Sequence, residues 1–395
     1  MTAYLNALGV ICALGRGQAE VCARLLAGDT SGMRPYPTPV AGMSLPVGAV
    51  SGALPALADP APGEDTRNNR LLLAALEEID ADVQAAIAHY GRARIGVVIG
   101  TSTTGILEAA AGIAGEIRQG ALPADYHYAQ QELVAPARLL ADRLGLGGPS
   151  YSLSTACTSS ARALISARRL LRAGVCDAVL CGGVDTLCDL TLQGFTALEA
   201  TSPALCNPFS RNRAGINIGE GAALFLMTRE PAPVALLGAG ASSDAHHISA
   251  PDPRGRGAIA AMRQALADAG LAPADIDYLN LHGTATRHND AMESLAVDAV
   301  FPAGVPCSSS KPLAGHTLGA AGALEAAFCW LALSAHNPAR RLPPHRWDGE
   351  ADPALPPLAL TGTDSRLPER SRYRMMTNSF AFGGNNSCLI LGSDA

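Results

Sequence analysis

Ser150-Tyr-Ser-Leu-Ser-Thr-Ala-Cys157-Thr-Ser-Ser-Ala-Arg-Ala-Leu-Ile-Ser-Ala-Arg-Arg-Leu-Leu-Arg172 is the stretch on which the fold turns. Ser150–Ser154 reads as a short strand. Ala161–Arg172 carries apolar residues at helical spacing. Between them lies Cys157, flanked by Ser and Thr residues that supply turn and cap chemistry at a helix start. A thiol at that junction feels the positive end of the helix dipole, which favours the reactive thiolate. The motif is therefore a strand–nucleophile–helix unit. Taken alone, a buried structural cysteine is the other reading of Cys157.

Two distant motifs weigh for chemistry. One is Leu281-His282-Gly283-Thr284-Ala285-Thr286. The other is Lys311-Pro-Leu-Ala-Gly315-His316-Thr-Leu-Gly319. Each sets a histidine against glycine in a small-residue turn after an apolar run. With the capped cysteine they make a Cys-His-His constellation. Lys311 is the only lysine in the chain. Where any cation would do, this chain uses arginine, so a retained lysine points to a need for a compact ammonium.

The pattern around Cys157 has an echo. Arg70–Tyr90 reads as a helix, followed by a strand and turn over Arg94–Thr104. Ile259–Gly270 reads as a helix, followed by a strand and turn over Asp275–Thr286. Each half then offers a short strand, a Ser/Thr cluster and a small-residue helix: Tyr151–Arg172 in the first, Cys307–Leu333 in the second. This repeated order predicts a duplicated α/β unit with buried, mainly parallel sheets. Arg229-Glu-Pro-Ala-Pro reads as a linker, dividing the chain into residues 1–233, with the cysteine, and 234–395, with both histidines and the lysine. The Pro-rich stretches Met33–Val47 and Pro338–Pro357 read as surface loops.

Composition narrows the classes. The chain has 395 residues, 48% hydrophobic and 16% charged, as a well-buried globular protein should. A net charge of −6 argues against coating nucleic acid. Ten cysteines without a C-x-x-C pair suit reduced thiols in a cytoplasmic protein better than disulfides or a metal site. The start, Met-Thr-Ala-Tyr-Leu-Asn, has no basic region before an apolar core, so no signal peptide is expected. No long uninterrupted apolar run predicts a membrane span.

As a set, in this order and spacing, the motifs resemble the β-ketoacyl-acyl-carrier-protein synthases of the thiolase superfamily. Asn207-Pro-Phe-Ser-Arg-Asn-Arg213-Ala-Gly-Ile-Asn-Ile-Gly219-Glu220-Gly221 and Asn378-Ser-Phe-Ala-Phe382-Gly383-Gly384-Asn385-Asn386 extend the likeness over essentially the whole chain. The resemblance implies an α/β thiolase fold, five-layered αβαβα. It implies that Cys157 holds an acyl chain, that His282 and His316 donate to the enolate oxygen of a decarboxylating extender, and that the backbone N–H groups of Cys157 and Phe382, beside Gly383 and Gly384, form an oxyanion hole. Lys311 then orients the His316 loop, with Glu325 a candidate partner or else a solvated helix residue. Thr284 and Thr286 match positions that touch the pantetheine arm, though turn chemistry alone also explains them. No cofactor is implied beyond the phosphopantetheine of an acyl carrier protein, the expected partner, together with a homodimer or a heterodimer mate of chain-length-factor type.

Finer features lean one way. Leu5–Gly32, Arg67-Asn-Asn-Arg-Leu-Leu-Leu, Gly100-Thr-Ser-Thr-Thr-Gly and Leu342-Pro-Pro-His-Arg-Trp347-Asp resemble the synthases of aryl polyene pigment clusters; housekeeping fatty-acid elongation is the alternative. Arg67–Arg70 is a candidate patch for an acidic carrier. Thr101–Thr104 and Thr191–Ala200, with Phe195, are candidates to line an acyl tunnel. Ala381 stands where the family usually has glycine, which raises the question of restricted φ in the gate. A chain-length factor would lack the cysteine, and a pure scaffold would not need Lys311 beside it. A thiolase-like enzyme would flank a second, late cysteine with glycines, which Cys388 lacks.

Overall fold

Residues 2–38 and 44–393 are described by the computed structural model. In chain order the strands are β1 (Ala3–Cys12), β2 (Gly15–Arg16), β3 (Met33–Pro37), β4 (Ser44–Gly48), β5 (Ile95–Gly100), β6 (Ser150–Leu153), β7 (Ala178–Asp185) and β8 (Gly221–Thr228), then β9 (Val234–Ser243), β10 (Tyr278–Asn280), β11 (Pro306–Ser308), β12 (Ala359–Leu360), β13 (Arg374–Phe380) and β14 (Asn385–Ser393). The helices are α1 (Gln18–Ala27), α2 (Arg67–Tyr90), α3 (Ile106–Gln119), α4 (Ala135–Leu144), α5 (Ser159–Arg172), α6 (Asp189–Ala197), α7 (Arg256–Ala269), α8 (Arg287–Val300), α9 (Lys311–Ala314) and α10 (Ala321–Leu333).

The echo in the sequence is a structural duplication. The first half runs β6-β5-β7-β8-β1 and the second β11-β10-β13-β14-β9. In each, the three strands that lead into functional turns are parallel, and the last two junctions are antiparallel. The sheets are thus mixed rather than mainly parallel. The chain path shows where: β13 turns back into β14 through the short Phe382–Gly384 turn, and β7 returns to β8 through a long connection that holds only the nine-residue α6. The halves join where β1 meets β9, antiparallel, at Ala3–Leu236 and Tyr4–Ala235.

Five layers follow. α2 and α4 cover the outer face of the first half with one apolar core. α5 and α10 lie against each other between the sheets in the largest core. α7 and α8 cover the outer face of the second half. Helix α10, Ala-Gly-Ala-Leu-Glu-Ala-Ala-Phe-Cys-Trp-Leu-Ala-Leu, is buried almost all round, as a helix apolar on every side must be. α2 starts three residues before the expected Arg70 because Thr66 caps it, its Oγ1 accepting from Asn69 N at 3.2 Å.

The start of α5 can sit directly on β5 and β7 because glycine faces it. A Cβ on Gly100 would come within 2.3 Å of Ser160 N, and one on Gly183 within 2.4 Å of Ser160 Cβ. These contacts fix the height of the Cys157 turn above the sheet. The Pro-rich Met33–Val47 stretch is not simply a loop: its flanks pair as the β3–β4 hairpin, while residues 39–43 lie outside the described residues. All ten cysteines are free and buried. Among the described residues no helix is long and apolar enough to cross a membrane.

Candidate active site

Cys157 stands between β6 and α5, one residue before the helix N-cap Thr158. Ala156 is forced to φ +52°, a strained turn that lifts the thiol out of the chain path. Thr158 makes no side-chain cap bond. The hydroxyls instead lock the turn: Thr158 Oγ1 donates to Thr155 O at 2.7 Å, and Ser159 Oγ accepts from Thr155 N at 2.9 Å.

The two histidine turns arrive from the other half. His316 Nε2 lies 3.0 Å from Cys157 Sγ. The His282 and His316 rings are 5.3 Å apart and nearly perpendicular, and Phe380 flanks His282 at 5.9 Å. One ligating atom from each of Cys157, His282 and His316 falls within a 4.8 Å cluster. Both imidazoles are held well below the usual range, first by burial and then by the Lys311 charge, so both are neutral. Neither Nδ1 has a partner among the described residues, so the bond that bears on the His316 tautomer is the one between Nε2 and the Cys157 thiol.

The thiol is not a resting thiolate. Burial pushes Cys157 up to about 12; the Lys311 charge and the backbone N–H groups of Phe382 and Cys157 pull the other way and lose. This corrects the expectation drawn from the helix start: the dipole is outweighed by removal from water. The same two N–H groups are those expected to form the oxyanion hole. Phe382 follows Ala381, whose φ of −128° is ordinary extended backbone, so its methyl group restrains nothing there. The left-handed positions are Gly383 (φ +79°) and Gly384 (φ +75°), which L side chains adopt only with strain.

Lys311 is buried, and its Nζ donates to the backbone carbonyl of His282 at 2.9 Å while pairing with Glu325 Oε1. It therefore ties the His282 turn by a direct bond, and not only the His316 loop on its own segment. Burial lifts the Glu325 carboxyl to about 7 against the lowering effect of Lys311. Two acids on α8 were not singled out in the sequence. Glu293 accepts from His282 N at 2.8 Å and Gly283 N at 2.7 Å; Asp290 accepts from Phe209 N at 2.7 Å and Ala285 N at 3.2 Å. Their i, i+3 spacing at a helix start just after the histidine turn was the available signal.

A cavity of about 860 Å³ opens onto Cys157, His282 and His316. Thr284 and Thr286 line it, their hydroxyls 3.0 Å apart. Phe195, from α6, lines it too, its ring 5.5 Å from that of Phe382. Thr101–Thr104 does not. Thr101 Oγ1 (2.9 Å) and Thr103 Oγ1 (2.7 Å) bind the buried Asp185 carboxylate instead, joined by the backbone N–H groups of Ser102 and Thr103. Arg67–Arg70 is likewise no free patch. Arg67 Nε donates to the buried Glu220 at 2.8 Å, Asn68 and Asn69 are buried, and Arg70 pairs with Asp65 at 2.6 Å. By the cavity mouth Arg287 is an exposed cation, Arg211 is exposed but paired with Glu350 at 2.6 Å, and His288 is exposed beside them.

Sequence and structure comparisons agree with this arrangement. Residues 65–232 match the model of the β-ketoacyl synthase N-terminal domain, and residues 234–343 that of the C-terminal domain. Nodulation protein E of Rhizobium meliloti is 38% identical over 259 residues, 62% of either chain, so the chain spans less than two thirds of that relative in alignment. The 3-oxoacyl-[acyl-carrier-protein] synthase 2 of the same species is 36% identical over 62% of this chain and 61% of its own. Among solved structures, the ketosynthase ApeO in complex with its chain length factor ApeC from Xenorhabdus doucetiae is 47% identical, with a TM-score of 0.94 over 99% of this chain and 98% of that one. With the two domain models matched one after the other over residues 65–232 and 234–343, the chain belongs to the β-ketoacyl synthase family.

Proposed function

We propose that the chain is a β-ketoacyl-acyl-carrier-protein synthase that elongates an acyl chain by decarboxylative Claisen condensation. The observation that carries this is the 3.0 Å approach of His316 Nε2 to a buried, neutral Cys157 thiol, with His282 beside it. As Sγ attacks the acyl thioester its proton passes to His316, the carbonyl oxygen takes charge against the N–H groups of Cys157 and Phe382, and the proton leaves with the departing pantetheine thiol. With Sγ acylated, His316 has lost its thiol partner, and nothing then holds the single ring proton on Nδ1, so the tautomer with Nε2–H facing the site is open to it. The malonyl carboxylate leaves as carbon dioxide, and its bonding pair becomes an enolate, whose oxygen accepts from the imidazole N–H groups of His282 and His316. The enolate carbon bonds to the acyl carbon, the Sγ–C bond breaks, and Sγ takes up a proton. Residues 1–233 supply the nucleophile and 234–395 the donors. No cofactor is required beyond the carrier's phosphopantetheine, whose approach Thr284, Thr286 and the exposed Arg287 at the mouth suit.

The finer reading is elongation of a conjugated, aryl polyene type chain beside a cysteine-less homologue. The 47% likeness to a ketosynthase paired with a chain length factor supports it. So does an uncovered apolar face on the packed helices α3 and α6, where Ile117 is 81% and Leu190 60% exposed. Mass spectrometry of acyl groups trapped on Cys157 during co-expression with carrier protein and candidate partner tests both levels. Absence of any acyl adduct overturns the condensing role; saturated adducts alone overturn the polyene reading.

A further inference from the structure

Leu342-Pro-Pro-His-Arg-Trp347-Asp is the motif that the proposed reaction leaves unused. Its histidine, His345, is buried and has both ring nitrogens engaged. Nε2–H donates to Pro208 O at 3.0 Å, so Nδ1 is the acceptor, and it takes the backbone N–H of Ser309 at 3.1 Å. Ser309 is a hub. Its Oγ donates to Gly283 O at 2.7 Å and accepts from Lys311 N at 3.2 Å. Lys311 Nζ in turn holds His282 O. At the other end, Pro208 precedes Phe209, whose N–H is bound by Asp290 and whose ring abuts Gly283. One imidazole thus braces, from behind, the turn carrying Lys311 and the segment supporting the His282 turn, and it does not itself line the cavity.

We infer that His345 is a positioning residue for condensation: through Ser309 it sets Lys311 and His282 at the distance the enolate step needs. The inference rests on the condensing reading above, so its test includes a readout that does not. Lys311 is the only lysine, so amine acetylation read by peptide mass spectrometry reports on its turn alone. His345→Leu fills the site but accepts nothing from Ser309. His345→Asn keeps an acceptor near the place of Nδ1, whereas His345→Gln reaches towards Pro208 O and abandons Ser309. The Leu variant should raise acetylation of Lys311 and lower kcat for condensation about 10- to 100-fold, with KM for the extender and acyl transfer to Cys157 little changed. The Asn variant should restore both readouts, and the Gln variant should not. If the Leu variant does not fold, Asn against Gln decides. Asn and Gln behaving alike, or Lys311 labelling unchanged in the Leu variant, overturns the inference even if no condensation is ever seen with the wild type. Normal labelling control beside an inactive wild type would instead overturn only the condensing reading.

Discussion

Cys157 is a neutral thiol waiting for a base, and this has a measurable signature. A group whose native pKa is raised keeps its proton in the folded state while the unfolded chain gives it up. Its alkylation rate with iodoacetamide should therefore keep climbing from pH 7 to pH 10 without levelling, because the thiolate fraction is set by a midpoint near about 12. The same sign makes this thiol a stabilising contribution below about pH 8.5 that fades as pH rises towards the native midpoint. A plateau in alkylation near neutral pH would overturn the neutral-thiol reading and restore the dipole argument. Cys157→Ala should abolish acyl transfer and condensation with the fold intact; condensation near the wild-type rate would mean another nucleophile. His316→Ala should keep slow self-acylation yet lose condensation, since a donor to the enolate oxygen matters after transfer. Equal loss of both steps would limit His316 to its proton-accepting role.

At the scale of elements, the Lys311–Glu325 pair joins α9 to α10 in the layer between the two sheets. Both groups are buried, so removing one leaves the other charged and without its partner. Glu325→Ala should cost about 3–5 kcal/mol in urea unfolding, whereas breaking the surface pair Arg16–Glu77 should cost no more than about 1 kcal/mol. Similar losses from the two variants would mean that Lys311 finds other compensation. This element also marks what could be seen in the sequence. Cys157, His282 and His316 were visible because each sits in a short turn whose glycines and hydroxyls announce it locally, and Lys311 because the chain has no other lysine. Glu325 was visible only as a candidate, since nothing local distinguishes a carboxylate facing a buried lysine from one facing water. Arg67 read as a surface cation because its partner, Glu220, lies 153 residues away. Thr101–Thr104 read as a tunnel wall because Asp185, which it binds, belongs to another strand. The hairpin β3–β4 was hidden by its prolines, which argue against central strands but are tolerated in a two-stranded edge.

At the scale of the molecule, the remaining question is the chain the cavity takes. The Phe195 and Phe382 rings lie 5.5 Å apart and only 35° from parallel, close to Cys157. The two rings are in contact and tilted, so nothing passes between them; together they give the cavity an aromatic wall. A conjugated acyl chain is flat and stiff: it loses little freedom on entry and presents a π-face to that wall. A saturated chain of equal length must give up its rotamers to lie along the same wall. The chain, tested beside a cysteine-less homologue if it proves inactive alone, should extend α,β-unsaturated acyl thioesters faster than saturated ones in direct competition. Phe195→Ala should erode that preference more than it lowers the total rate, because it removes half of the aromatic wall and no catalytic group. The measurement is the ratio of the two products by mass spectrometry at equal substrate concentrations. A clear preference for the saturated chain in the wild type would return the protein to ordinary fatty-acid elongation, and an unchanged ratio in the Phe195 variant would move the source of selectivity away from this aromatic pair.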